Sequence, residues 1–294
     1  TGVQTCALPI CIYQTYESIR NQTFCYWEWV IVNDSEDGGE TQAVLESIAR
    51  EDPRVKVYQF TKPSRGSIGE AKYRAAGLCK GSLIAEMDHD DLIASTCLEY
   101  IVRASEKFTD CGFFYTDCTE IDQTYKPNER YPEGFALGYG SYREEEFAGL
   151  KFDVQNTVPT NPLTIRHIVG VPNHMRVWRK EIYDKIGGYN QLMRIADDYE
   201  LIVRTFLETK FCRIPRLLYF QRYDGNNSQD NGNRMDIQYR VKVIANYYRK
   251  LIKNRFEELG VPDFVDEKLD KVPELWYIPR QDGYNVNEVY EEEL

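Results

Sequence analysis

SLIAEMDHDD, residues 82–91, reads as a short buried strand, Ser82 to Met87, that ends abruptly in three carboxylates, Asp88, Asp90 and Asp91. Working outward, the same pattern recurs on both sides. Upstream, WVIVN (Trp29 to Asn33) is a β-branched apolar run that opens into the polar DSEDGGET, as a buried strand opens into a loop and helix. The helix expected from about Glu40 to Arg50 is followed by a breaker, Asp52-Pro53, and a strand, Val55 to Phe60. A Pro/Ser/Arg/Gly loop then leads to a helix from about Ser67 to Cys79. Downstream, a helix near Ser95 to Phe108 precedes a strand, Gly112 to Thr116. Short strands alternating with longer helices imply an α/β fold: a mainly parallel, Rossmann-like sheet flanked by helices. In such sheets ligands bind beyond the carboxyl ends of the strands. Asn33-Asp34 and Asp88 to Asp91 fall there.

From Asp117 to about Val169 the period breaks into Tyr, Gly, Pro and charged residues, expected to be a long excursion over a cleft. MRVWRKEIYDKIGGYN then predicts a strand and a helix closed by Gly187-Gly188. ADDYELIVRTFLETK predicts a helix with an acidic start, followed by a strand over Arg216 to Arg222. Met235 to Leu259 predicts one long helix ended by Gly260, and the sequence beyond Pro262 has no clear period.

The 294 residues carry a formal net charge of -11, which argues against a generic nucleic-acid binder, since that needs a basic footprint. No apolar run reaches 18 residues, so no transmembrane segment is expected; peripheral membrane association stays open. None of the eight cysteines falls in a CxxC pair, so buried free thiols in a reducing cytoplasm are expected in preference to zinc or disulfides. Thr1 to Ile10, TGVQTCALPI, resembles the translation of a sequencing-adapter oligonucleotide and is expected to be foreign to the fold. Native sequence would then begin near Cys11, inside a helix expected over Tyr16 to Gln22, and the usual opening strand would be absent or replaced.

Three carboxylates at one strand end repel unless a cation neutralises them, and hard oxygen ligands suit Mg²⁺ or Mn²⁺. The alternative is a helix start capped by Asp90 or Asp91. His89 is a further ligand or points away. Asp197-Asp198 opens a predicted helix, either as ordinary capping or with Asp198 as a general base across the cleft from the metal.

Four segments in order, QTF-x-x-WEWVIVNDSEDGGET, IGEAKYRAAGLCKGSLIAEMDHDD, RKEIYDKIGGYN and ADDYELIVR, resemble the family 2 glycosyltransferases, over about Glu17 to Ser228. The resemblance implies the A-type glycosyltransferase fold, a catalytic domain over residues 11–230 and a C-terminal helical extension over 231–294. By the same resemblance Asp88-x-Asp90 matches the DxD metal and donor motif, with Asp91 the acid that follows it at the donor site. Asp34 matches the acid that recognises the nucleotide base, although Asn33 stands where the family often has another Asp. Lys72 falls where a cation meets the donor diphosphate or ribose; a solvated helix lysine is the alternative. Asp198 matches the catalytic aspartate, with Asp197 in place of the usual Glu. In QRYDGNNSQ, Asp224 stands where some members carry a metal-binding histidine. The implied activity is inverting, metal-dependent transfer from a nucleotide diphosphate sugar, with uridine the usual base. The acceptor, whether saccharide, lipid-linked or protein, is not specified; the segment near Asn173-His174 is expected to help shape its site. A nucleotidyltransferase and a non-catalytic carbohydrate- or partner-binding protein are the rival readings.

Overall fold

The computed structural model describes residues 9–128, 130–223, 233–265 and 280–291. The first layer follows the sequence closely. Strand β1 (Trp29–Asn33) pairs in parallel with β2 (Val55–Gln59), in register from Trp29↔Val55 to Asn33↔Gln59. Helix α2 (Glu40–Glu51) makes the crossover. It buries Leu45 and Ile48 against Val55 and against Ile12 and Tyr16 of helix α1 (Pro9–Arg20). That first helix starts upstream of the expected Tyr16, and the ring of Tyr16 stacks on Trp29 with centroids 6.4 Å apart.

After helix α3 (Ile68–Leu78) comes β3 (Leu83–Glu86), the first strand of a second, larger sheet. It pairs antiparallel with β8 (Arg176–Arg179), which pairs antiparallel with β5 (Cys111–Ile121). Strand β5 runs parallel to the long β9 (Lys210–Arg222), whose far edge takes a short parallel β10 (Glu288–Val289). The sheet is therefore mixed, where the alternation of elements predicted mainly parallel pairing. A run such as RVWR declares itself a strand but not its neighbour or direction, and here it inserts between two strands that precede it in the chain.

The expected excursion after Asp117 is also more regular than predicted. Strand β5 continues to Ile121, and β6 (Ser141–Phe147) and β7 (Leu150–Asn156) form a hairpin that joins β5 at Cys118↔Gln155. The turn, Ala148-Gly149, places both residues at positive φ, where glycine carries no Cβ penalty. Strand β4 (Leu92–Ile93) pairs with Phe220 and Tyr219 of β9, and helix α4 (Cys97–Lys107) follows.

Helix α5 (Lys180–Lys185) follows β8. The core on one face of β8, β5 and β9 is aromatic and fully buried: Phe113, Tyr115, Trp178 and Phe211 pack together, and α6 (Asp197–Glu208) covers them with Tyr199 and Phe206. The single helix predicted for Met235 to Leu259 is two, α7 (Arg234–Tyr247) and α8 (Arg249–Glu258), broken at Tyr248. Their apolar positions Val241, Ile252 and Phe256 complete the same cluster.

Candidate functional site

The acidic loop is clamped between α1 and β9. Glu86 is the last residue of β3, and the chain turns through Asp88 to Asp91 before β4. From one side the Thr15 hydroxyl donates to the carbonyls of His89 (2.9 Å) and Asp91 (2.8 Å). From the other, the Tyr219 hydroxyl donates to Asp91 Oδ2 at 2.5 Å, the Arg222 amide to Asp91 Oδ1 at 2.7 Å, and Arg222 Nε to the Asp90 carbonyl at 2.8 Å.

Asp91 is 2% exposed with both oxygens engaged by β9, so it fastens the loop. Burial, reinforced by the charges of Asp88 and Asp90, pushes its carboxyl well above the usual carboxylate range. Asp88 and Asp90 are both part-exposed, and Asp90 lies 3.9 Å from the His89 ring. Burial, with a further push from Asp88, raises the Asp90 carboxyl as well, against the pull of His89.

Behind the loop lies a ring of alternating charges. Buried Glu86 receives Lys72 Nζ in a close ion pair, Arg176 at 3.4 Å and the His174 ring at 3.8 Å. Burial alone would raise the Glu86 carboxyl; Lys72 and Arg176 outweigh it and hold it well below the usual range. Arg176 also reaches Asp198 Oδ2 at 3.0 Å, and Lys72 lies 3.7 Å from Asp197 Oδ2. The two cations thus join the end of β3 to the start of α6. Lys72, expected at the donor diphosphate or ribose, pairs with Glu86 and faces Asp197, and those carboxylates raise its affinity for its proton despite burial. Helix α3 holds it there by close approach to the loop before α6. A Cβ on Gly69 would stand 2.2 Å from the Asn190 carbonyl oxygen, so only glycine fits.

Asp197 and Asp198 occupy the first turn of α6, after Ala196 in the left-handed conformation at φ 57°, and are stabilised there by the helix dipole. They differ in access. Asp197 is 4% exposed, and its Oδ2 has no hydrogen-bond partner among the described residues. Burial pushes its carboxyl to about 6; Lys72 pulls it down while Asp198 and Glu86 push it up. The Asp198 side chain keeps a quarter of its surface exposed. Asp34 lies apart from this ring, at the end of β1, where it accepts from the Ser64 amide at 2.8 Å and from the Ser64 hydroxyl. It lines an open cleft of about 510 Å³ with Gly38, Gly39, Gln59 and Phe60. Asp224 lies outside the described residues.

A group the sequence did not single out for metal sits inside the ring. Ligand atoms of Glu86, Asp88 and His174 lie within 4.8 Å of one another. His174 is buried, stacks on Tyr219 with ring centroids 5.0 Å apart, and its Nε2 has no hydrogen-bond partner among the described residues. Glu86 already faces two cations, which makes it the least favourable ligand of the three. The period-two spacing of Glu86 and Asp88 was a readable signal for one side of the group. The sequence points to the segment near Asn173-His174 only for the acceptor site; nothing local marks His174 as a metal ligand, and nothing marks Arg176.

Residues 10–187 match the profile of Glycosyl transferase family 2, more than half of the chain. The chain belongs to that family. Among its relatives, a hyaluronan synthase of Pasteurella multocida is 23% identical over 96% of this chain, which spans 25% of that protein. Among solved structures, TarS of S. aureus in complex with UDP-GlcNAc is similar at a TM-score of 0.60 and 16% identity, covering 88% of this chain and 66% of the other. The mannosyltransferase PcManGT from Pyrobaculum calidifontis, in complex with GDP-Man and Mn2+, is similar at 0.51 and 13%, covering 88% and 72%. The family membership and these likenesses bear out the A-type glycosyltransferase fold. Among the described residues no helix is long and apolar enough to cross a membrane.

Proposed function

We propose that the chain transfers a sugar from a nucleoside diphosphate sugar, with uridine as the base, to an acceptor hydroxyl with inversion at the anomeric carbon. The observation that carries this reading is the charge ring: Lys72 and Arg176 join the acidic loop after β3 to Asp197 and Asp198 at the start of α6. Donor and acceptor chemistry would meet there.

Asp34, in the cleft beside β1, recognises the nucleotide base. Asp198 is the general base: a part-exposed carboxylate at a helix start, able to accept the proton of an attacking hydroxyl. Arg176 orients it. Asp197, shorter than the usual Glu, positions Lys72. A divalent cation would be held by Asp88 and His174, with Asp90 beside them. This set of carboxylates and one imidazole suits Mn²⁺ better than Mg²⁺. When bound, such an ion neutralises charge gathering on the departing diphosphate.

No two of the described cysteines are joined in a disulfide, which supports a reducing, cytoplasmic setting, with peripheral attachment to a membrane consistent with the same features. The acceptor class, saccharide, lipid-linked or protein, is for assay to decide.

The test is incubation with a panel of UDP- and GDP-sugars and Mn²⁺, identifying the phosphate product by ³¹P NMR. Release of a nucleoside diphosphate with sugar transfer is expected. Release of sugar 1-phosphate, the group that leaves when the nucleotidyl half of the donor is transferred, would make the chain a nucleotidyltransferase, and binding of a sugar without turnover would make it a non-catalytic module.

A further inference from the structure

Helix α7 is apolar on two faces. One is packed: Val241 and Ala245 are buried, and Ile237 and Ile244 lie against the aromatic cluster that α6 covers. The other is bare. Met235, Tyr239, Val243 and Tyr247 are 79%, 67%, 50% and 80% exposed, and their four-residue spacing sets them in one stripe along the helix. Leu251, on α8 just past the break at Tyr248, is 51% exposed as well. The outward side of a surface helix is ordinarily polar. A single exposed apolar side chain needs no explanation, whereas a row of them marks an interaction surface. The row is held firmly: the ring of Tyr247 sits edge-on to Tyr248 with centroids 4.9 Å apart, and the Tyr248 hydroxyl donates to Glu200 of α6 at 3.1 Å.

The charge around the stripe is opposite to that of the chain. The net charge is -11, yet residues 234–259 hold seven cations and three acids. Arg234, Lys242 and Lys250 are exposed, Lys242 next in sequence to Val243 and Lys250 to Leu251. From this arrangement we infer that the outer face of α7 and the start of α8 lies on an anionic lipid surface. Met235, Val243 and Leu251 enter the boundary between headgroups and acyl chains, where the amphipathic rings of Tyr239 and Tyr247 also belong. Lys242 and Lys250 extend along that apolar surface to the lipid phosphates. A second copy fits less well, because an isologous contact would set the same cations against one another. A nucleic acid fits less well too, since Met235, Val243 and Leu251 offer no stacking platform to a base. The sequence leaves peripheral attachment open; the stripe gives it a surface and a required lipid charge. The inference rests on no part of the proposed activity.

The test is co-sedimentation of the full chain with vesicles of phosphatidylcholine alone, and of phosphatidylcholine with an equal part of phosphatidylglycerol. Binding to the mixed vesicles should be at least roughly tenfold tighter than to the neutral ones, and should weaken as salt screens the surface. Tyr239→Ser combined with Tyr247→Ser should weaken it at least roughly tenfold, and Lys242→Gln or Lys250→Gln about fivefold each. Leu192→Ser, which removes a 90% exposed leucine outside the stripe, should change nothing. All these side chains are exposed, so the fold tolerates the substitutions. Absence of binding to the mixed vesicles would overturn the inference. So would binding that the tyrosine pair does not affect, or that Leu192→Ser weakens equally. A wild-type dimer in light scattering that the tyrosine substitutions return to monomer, without vesicle binding, would assign the stripe to a second copy instead.

Discussion

Arg176 lies 3.0 Å from Asp198 and 3.4 Å from Glu86, so one buried guanidinium ties the first turn of α6 to the end of β3. Its side chain is 6% exposed; Asp198 pairs with it, and Glu86 shares it with Lys72. Replacing it with methionine keeps the volume and removes the charge. Breaking a buried pair from one side costs about 3–5 kcal/mol. Arg176→Met should therefore lower stability by that order in urea unfolding; a change below about 1 kcal/mol would mean that water already compensates the two acids.

Asp91 is a fastener, and its charge is a liability beside Asp88 and Asp90. Asp91→Asn keeps an oxygen for the Arg222 amide and removes like-charge repulsion, so stability at neutral pH should be unchanged or higher. Asp91→Ala loses both hydrogen bonds and should cost about 1–3 kcal/mol. If Asp91→Asn instead weakened UDP binding as strongly as Asp34→Ala, Asp91 would belong to the donor site after all.

Asp197 gives the stability curve a pH signature. Its folded value, about 6, stands above the ordinary 3.8. The native state therefore keeps a proton that the unfolded chain releases between about pH 4 and 6, and stability falls as pH rises through that window, by about 3 kcal/mol at most. Denaturant midpoints of the wild type and Asp197→Asn should diverge between pH 4 and 6.5. Parallel curves would show that Asp197 ionises like an exposed carboxyl.

His174 can be tested without turnover. Titration of Mn²⁺ followed by EPR should show at least roughly tenfold weaker binding for His174→Gln, the scale typical of losses in a metal's immediate surroundings. Equal affinity in wild type and variant would remove His174 from the ligand set and return that role to Asp90.

The sequence is most legible where one local pattern suffices. WVIVN and SLIAEM announce strands by β-branched and apolar runs, and the carboxylates after them mark the ligand-binding edge. The hairpin β6–β7 was hidden because SYREEEF has charged residues on a solvated strand and no apolar alternation. The break at Tyr248 carries no Pro or Gly. The antiparallel insertion of β8 is a choice among partners, which no single segment encodes. The same applies within the site. Asp88, Asp197 and Asp198 could be picked out as clusters, whereas Arg176 and His174 sit singly on or beside an apolar strand and gain meaning only when β8 lies against β3. Lys72 was found, but its orientation toward Glu86 depends on Gly69 admitting the loop at Asn190.

The central claim is tested most directly by comparing wild type and Asp198→Asn with the nucleotide sugar that proves active, reading nucleoside diphosphate release and nucleoside diphosphate affinity on the same preparations. Loss of a general base costs on the order of a hundred- to ten-thousand-fold in rate, so the variant should lose turnover on that scale while its affinity for the nucleoside diphosphate stays within about twofold. Turnover at the wild-type rate in Asp198→Asn would contradict the account.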